Sequence, residues 1–212
     1  MRFCSFSAGG TRRFGLITRE DLFLDLKSAS ATLTTSGRIQ LTEREGIRNL
    51  RDWFALGTGG MDAAQRILEL HYGDPELLSG HLFSRRQIRI LAPIGDPGKI
   101  MAIGLNYRDH AEEQNAVIPE IPRMFAKFPS AVIGHEEPIK IPGISRKVDP
   151  EAELCMVVLS GGKQLDQEKA RKSVAFMIGN DVSARDLQYA DKQWVRGKSC
   201  DTFAPCGPFI ST

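Results

Sequence analysis

Between residues 1 and 30, apolar and polar positions alternate in short runs broken by turn residues. This period of two predicts strands over 2–7, 13–18 and 22–26. Ala8-Gly9-Gly10 separates the first pair and Thr18-Arg19-Glu20-Asp21 the second. The period then lengthens. Ile47, Leu50 and Phe54 fall at helical spacing behind Thr42, a candidate N-cap with Glu45 at the capping-box position. The glycines between Gly57 and Gly60 are expected to stop that helix, and a second helix is predicted over 61–71, burying Ala64, Ile67 and Leu68. Residues 1–86 thus read as a small α+β N-terminal subdomain.

Beyond residue 86 strands dominate. Apolar runs over 88–93 and 99–104 flank the turn Gly95-Asp96-Pro97-Gly98. A polar segment over 105–114 comes next, then a stretch punctuated by Pro119, Pro122 and Pro129 with Phe125, Lys127 and Phe128 between them, which suits a loop over a site. Residues 138–142 read as a short edge strand and 149–159 as a longer one. Asp166 is placed to cap a short helix ending near 172, and 174–178 form another strand. The excess of strands predicts a mainly β domain over 87–212.

Composition narrows the classes. The chain has 212 residues, 42% hydrophobic and 25% charged, with a net charge of +2. That suits a globular chain with a sizeable core and gives no footing for nucleic-acid binding. Cys4, Cys155, Cys200 and Cys206 form no metal or redox spacing, so a reducing, cytoplasmic setting is expected. No run is long enough to span a membrane, so no membrane partner is expected either.

Candidate chemistry starts at the head of the 149–159 run. In a strand Glu151 and Glu153 share a face, and like charges there repel unless a cation or proton sits between them. A hard divalent cation would turn that cost into a site; a solvated strand end is the alternative. Asp181 offers a third carboxylate, or a turn acid capping its own backbone. His110 and Glu113, three apart, would face each other on one helical turn as a general base and its orienting acid, or as an ordinary surface pair. Lys198 lies where it could steady an oxyanion or enolate, and Arg185 with Gln188 could clamp a substrate carboxylate, with an Arg185–Asp186 surface pair as the bland alternative.

Five ordered segments carry a resemblance: Gly104-Leu105-Asn106-Tyr107-Arg108-Asp109-His110, Asp149-Pro150-Glu151-Ala152-Glu153-Leu154, Asn180-Asp181-Val182-Ser183-Ala184-Arg185-Asp186, Gln193-Trp194 and Gly197-Lys198-Ser199. From about residue 88 onward the chain resembles the fumarylacetoacetate hydrolase family, in its fumarylacetoacetate hydrolase domain-containing branch. The resemblance implies a rolled, mixed β-sheet around Mg²⁺ or Mn²⁺, with Glu151, Glu153 and Asp181 as ligands. It implies His110 with Glu113 as the base, Lys198 beside the metal, Arg185 and Gln188 near a small 2-oxo acid substrate, and a homodimer. The expected reaction is hydrolysis of a C–C bond in an acylpyruvate through an enolate. Oxaloacetate decarboxylation or keto–enol tautomerisation at the same metal is the alternative, and an inactive or binding-only chain a further one. Relatives carry further strands and a closing loop after the Pro205-Cys206-Gly207-Pro208 segment, so the catalytic domain is expected to be C-terminally incomplete.

Overall fold

The structure, a computed structural model, describes residues 1–41, 46–113 and 115–212, with the backbone but not the side chain of His110. The predicted Thr42/Glu45 capping box therefore lies outside the described residues.

Strands β1 (Arg2–Ala8), β2 (Thr11–Ile17) and β3 (Phe23–Asp25) form the expected meander, with Phe3 opposite Leu16 and Leu16 opposite Leu24. Helix α1 (Leu26–Thr35) was not anticipated. Its Ser- and Thr-rich sequence is a poor helix former, yet Leu26, Ala29, Ser30 and Leu33 are buried at helical spacing, and the Asp25 side chain caps it by accepting from Ser28 N at 3.2 Å. Helix α2 (Leu50–Phe54) is capped by Asn49, whose Oδ1 accepts from Asp52 N at 2.9 Å. Helix α3 (Thr58–Gly73) corrects the glycine reading. Gly57, at φ 62°, turns the chain, whereas Gly59 and Gly60 lie inside the helix they were expected to precede. Gly60 sits so close to the Trp53 carbonyl that a β-carbon there would lie 2.8 Å from it.

Strand β4 (Leu82–Phe83) extends the meander, and β5 (Ile88–Leu91) pairs with β1. A separate hairpin, β6 (Ile100–Gly104) with β7 (Arg123–Lys127), flanks helix α4 (Arg108–Glu113). The expected loop over 115–129 thus contains a strand. Residues 138–142, expected as an edge strand, form none; Lys140 N instead donates to Thr202 Oγ1 at 2.7 Å. The remaining elements are β8 (Val132–Ile133), β9 (Val148–Asp149), β10 (Ala152–Val158), α5 (Gln167–Lys172), β11 (Val174–Asn180), β12 (Ser183–Ala184), α6 (Arg185–Asp191), α7 (Val195–Lys198) and β13 (Ala204–Ser211).

Among the described residues one nine-stranded sheet runs β10-β11-β13-β1-β2-β3-β4, with β5 on β1 and β8 on β13. The β8–β13 pairing is parallel and the rest antiparallel, so the sheet is mixed. Strands from both sides of residue 86 share it: β1 pairs with β13 as well as β5. The main core packs Phe3, Phe14, Leu16, Leu24, Trp53 and Ile67 between the meander and helices α1–α3. A smaller cluster of Ala131, Val182, Ala184, Leu187, Phe203 and Ala204 supports the site end. The outward face of β10 and β11 is apolar and exposed, with Leu154 opposite Ile178 and Met156 opposite Phe176. No helix among the described residues is long and apolar enough to cross a membrane.

Candidate active site

Glu151 occupies the step between β9 and β10. Its backbone N donates to Asn180 Oδ1 at 3.0 Å, and its carbonyl accepts from Asp181 N at 2.9 Å. These two bonds staple the mouth of β10 to the end of β11 and set Glu151 beside Asp181. Pairing of β12 with β9, Ser183 opposite Asp149, brings the chain round so that α6 begins with Arg185 over the same acids.

Cations converge there. Lys198 Nζ donates to Glu151 Oε2 and to Asp181 Oδ2, each at 2.7 Å, and the side chain is only 3% exposed. Gly197 makes that approach possible: a β-carbon on it would lie 2.8 Å from Gln188 N and hold α7 away from α6. Lys127 Nζ donates to Asp181 Oδ1 at 2.5 Å and to the Val182 carbonyl at 3.2 Å. Arg185 forks onto Asp149 Oδ2 through Nε and Nη2 at 2.9 and 2.7 Å, reaches Glu151 Oε1 at 2.5 Å, and gives Nη1 to Gln188 Oε1 at 3.1 Å. Asp186 does not pair with Arg185; it accepts from Ser145 Oγ and Arg146 N.

Burial holds the Lys127 ammonium below the usual lysine range, with Asp181 pulling the other way. Burial also raises the Glu153 carboxyl; the Asn106 hydrogen bond opposes it, and the charges of Asp181 and Glu151 add to it. Cys155, two residues further along the same face of β10, has its thiol raised by burial and by the charge of Glu153.

The structure therefore joins Glu151, Asp181, Lys198, Arg185 and Gln188. Glu153 stands slightly apart, its Oε2 facing Asn106 Nδ2 at 3.4 Å. Among the described residues no three His, Cys, Asp or Glu side chains are gathered to hold a metal as they stand, and the Lys198 ammonium bonds both Glu151 and Asp181. His110 and Glu113 fall on one turn of α4, and Glu113 is exposed. Of the histidines outside these motifs, His71 is buried in α3 against Tyr72, and His81 bonds Ser28 and Thr32 on α1, both structural placements. Sequence reasoning missed Lys127 and Asp149. The signal for Lys127 was strand parity, since it shares a face of β7 with Phe125, whose ring lies 5.3 Å from Lys198 Nζ. Asp149 lay inside a recognised motif but had no assigned partner.

The stretch that carries these residues also matches known proteins. Residues 99–212 match the family model described as fumarylacetoacetate (FAA) hydrolase C-terminal. The chain is 40% identical over 166 residues to the mitochondrial oxaloacetate tautomerase fahd2 of Xenopus laevis, covering 77% of this chain and 50% of that protein. It resembles the solved 5-carboxymethyl-2-hydroxymuconate delta-isomerase of Mycobacterium smegmatis, with a TM-score of 0.67 and 28% identity over all of this chain and 67% of that one. The fumarylacetoacetate hydrolase of Exiguobacterium antarcticum gives 0.68 and 27%, over all of this chain and 66% of that one. The chain spans about half the length of the curated relatives it matches.

Proposed function

The chain belongs to the fumarylacetoacetate hydrolase family, and from that premise we propose that it interconverts the keto and enol forms of a small 2-oxo diacid, oxaloacetate first among them, at a Mg²⁺ or Mn²⁺ site. The observation that carries the reading is the buried Lys198 ammonium, held at 2.7 Å by both Glu151 and Asp181. Tautomerisation moves a proton from carbon to oxygen through an enolate, so the demand on the protein is stabilisation of one developing negative charge. Lys198 and Lys127 are two ammonium donors fixed by acids in a buried site, and they need little reorganisation to meet that charge.

The donor set fits a hard divalent cation. Two carboxylates from separate elements already converge on one positive charge, and the carboxylate of Glu153 lies in their field. In this reading Glu151, Glu153 and Asp181 would hold the ion. When bound it supplies a Lewis acid that draws electron density from substrate oxygens. Arg185, joined to Gln188 by a 3.1 Å hydrogen bond, holds Asp149 and Glu151 in place, and the pair would meet a substrate carboxylate by exchanging these bonds for it. His110, on the same helical turn as Glu113, carries the proton between carbon and oxygen. Support for this chemistry comes from the curated relative from Xenopus laevis, matched over 77% of this chain, which is an oxaloacetate tautomerase.

The test monitors the enol absorbance of oxaloacetate with purified protein and Mg²⁺. Conversion is expected to be accelerated, and lost in Asp181→Ala; a rate equal to buffer alone in the wild type would refute the reading. Hydrolysis of acylpyruvates is the second reading, favoured by the placement of His110 and Glu113 on one turn of α4, where a base could activate water. The homodimer implied by the resemblance is part of the proposal, and a monomer mass by light scattering would remove it.

A further inference from the structure

Trp194 touches both halves of the site without belonging to either. It stands at the head of α7, and its carbonyl accepts from Lys198 N at 3.0 Å, closing the turn that delivers the Lys198 side chain. Its ring lies edge-on to Phe125 of β7, centroids 5.2 Å apart at 73°, and the Lys198 ammonium lies 5.3 Å from the same Phe125 ring. On its far edge the indole rests directly on the backbone of Gly104. A β-carbon built on Gly104 would overlap Cζ3 of Trp194 and lie 2.7 Å from Cη2.

Gly104 ends β6, and from there the chain runs toward α4. Leu105 takes a left-handed φ of 56° and swings the chain out of the hairpin. Asn106 Nδ2 then faces Glu153 Oε2 at 3.4 Å, and Tyr107 Oη accepts from Leu154 N at 3.2 Å. Helix α4, with His110 and Glu113, begins directly after.

We propose that Trp194 is a positioning residue that sets the distance between the Lys198 ammonium and the β6–α4 turn, and that residue 104 must be glycine because the indole occupies the space of a side chain there. The proposal rests on the function argued above, since it matters only if Lys198 and α4 serve one reaction. Trp194 needs no contact with substrate to act in this way. It packs between the two elements whose separation the chemistry requires, where a misplacement of about 1 Å costs about 100-fold.

The experiment is a double-mutant cycle of Gly104→Ala and Trp194→Leu, measured as kcat and KM for oxaloacetate tautomerisation in Mg²⁺, with Mn²⁺ affinity by calorimetry as a second readout. Each single variant is expected to lose about 10- to 100-fold in kcat with KM nearly unchanged. The double variant is expected to be no slower than Gly104→Ala alone, because removing the indole makes room for the methyl group. Mn²⁺ affinity stays within about threefold of wild type in all of them, since no proposed ligand is altered. If Trp194→Leu fails to fold, Trp194→Phe closes the cycle, as its shorter ring vacates the positions of Cζ3 and Cη2. Multiplicative losses in the double variant, or losses confined to KM, would overturn the positioning role while leaving the function intact. A wild-type protein inactive on oxaloacetate and acylpyruvates overturns the function and this inference with it.

Discussion

Replacing Lys198 by Met removes one ammonium from two carboxylates. Its Nζ is 2.7 Å from Glu151 Oε2 and 2.7 Å from Asp181 Oδ2, in a side chain that is 3% exposed. A unit pair at 4 Å is worth about 4 kcal/mol at an effective dielectric near 20. Part of the field survives in the variant, since Lys127 still bonds Asp181 and Arg185 still bonds Glu151. The expected destabilisation is therefore about 3–5 kcal/mol, the range for breaking a buried pair from one side. For a chain of this size that lowers Tm by about 6–20 °C. If these acids form a cation site, a divalent ion should replace the missing charge. Mg²⁺ at about 100 times its Kd would return about 2.7 kcal/mol. The assay is urea denaturation of wild type and Lys198→Met, with and without MgCl₂, against NaCl at matched ionic strength. A loss below about 1 kcal/mol would show that the ammonium does not hold the acids together. Recovery by MgCl₂ no greater than by NaCl would refute the cation site.

His110→Ala tests the proton carrier: tautomerisation of oxaloacetate, in which His110 moves the proton, and hydrolysis of an acylpyruvate, in which it would activate water, should each fall by about 100-fold or more. Tautomerisation at the wild-type rate in this variant would remove His110 as the proton carrier. Asp186 accepts from Arg146 N and Ser145 Oγ, and these bonds hold its carboxyl below the usual carboxylate range. A depressed folded pKa gives stability that is present above the unfolded value near 3.9 and lost as pH falls through the folded one. Asp186→Asn should thus lower the urea midpoint at pH 7, with the deficit shrinking below about pH 4; a deficit unchanged between pH 7 and pH 3 would contradict this.

The strands were largely legible because their apolar positions alternate and their ends carry Gly, Pro and Asp. The β1–β3 meander, β10 and β11 lie close to where the pattern puts them. Helix α1 escaped because five of its ten residues are Ser or Thr, which bond the backbone locally, while only four positions record burial. The glycines at the head of α3 misled because glycine is a helix stop only where the backbone turns left-handed, and here that is Gly57 alone. In the site, the two carboxylates and Lys198 sat within recognisable segments. Lys127 did not, since its role depends on β7 pairing with β6 and lying over the end of β11, a contact 54 residues away in sequence. Similarly, no spacing rule reveals that Arg185 prefers Asp149 and Glu151 to its neighbour Asp186.

The ionic inventory separates ligand from scaffold among the acids. Lys127, Arg185 and Lys198 are all committed to Asp149, Glu151 and Asp181, whereas Glu153 is met by the uncharged amide of Asn106. Glu151 and Asp181 thus have structural work whether or not a cation is bound, and substituting either confounds binding with folding. Glu153 is the cleaner probe. Its charge stands in the repulsive field of Glu151 and Asp181, so Glu153→Gln should leave stability without added metal unchanged or slightly improved. If its carboxylate is a ligand, the same change should weaken Mn²⁺ binding at least tenfold, more than the loss of a merely orienting neighbour usually costs. Calorimetry with Mn²⁺ and urea denaturation without metal are the paired measurements. Unchanged Mn²⁺ affinity would remove Glu153 from the ligand set. Marked destabilisation without metal would instead mean that its carboxylate supports the fold through the Asn106 turn.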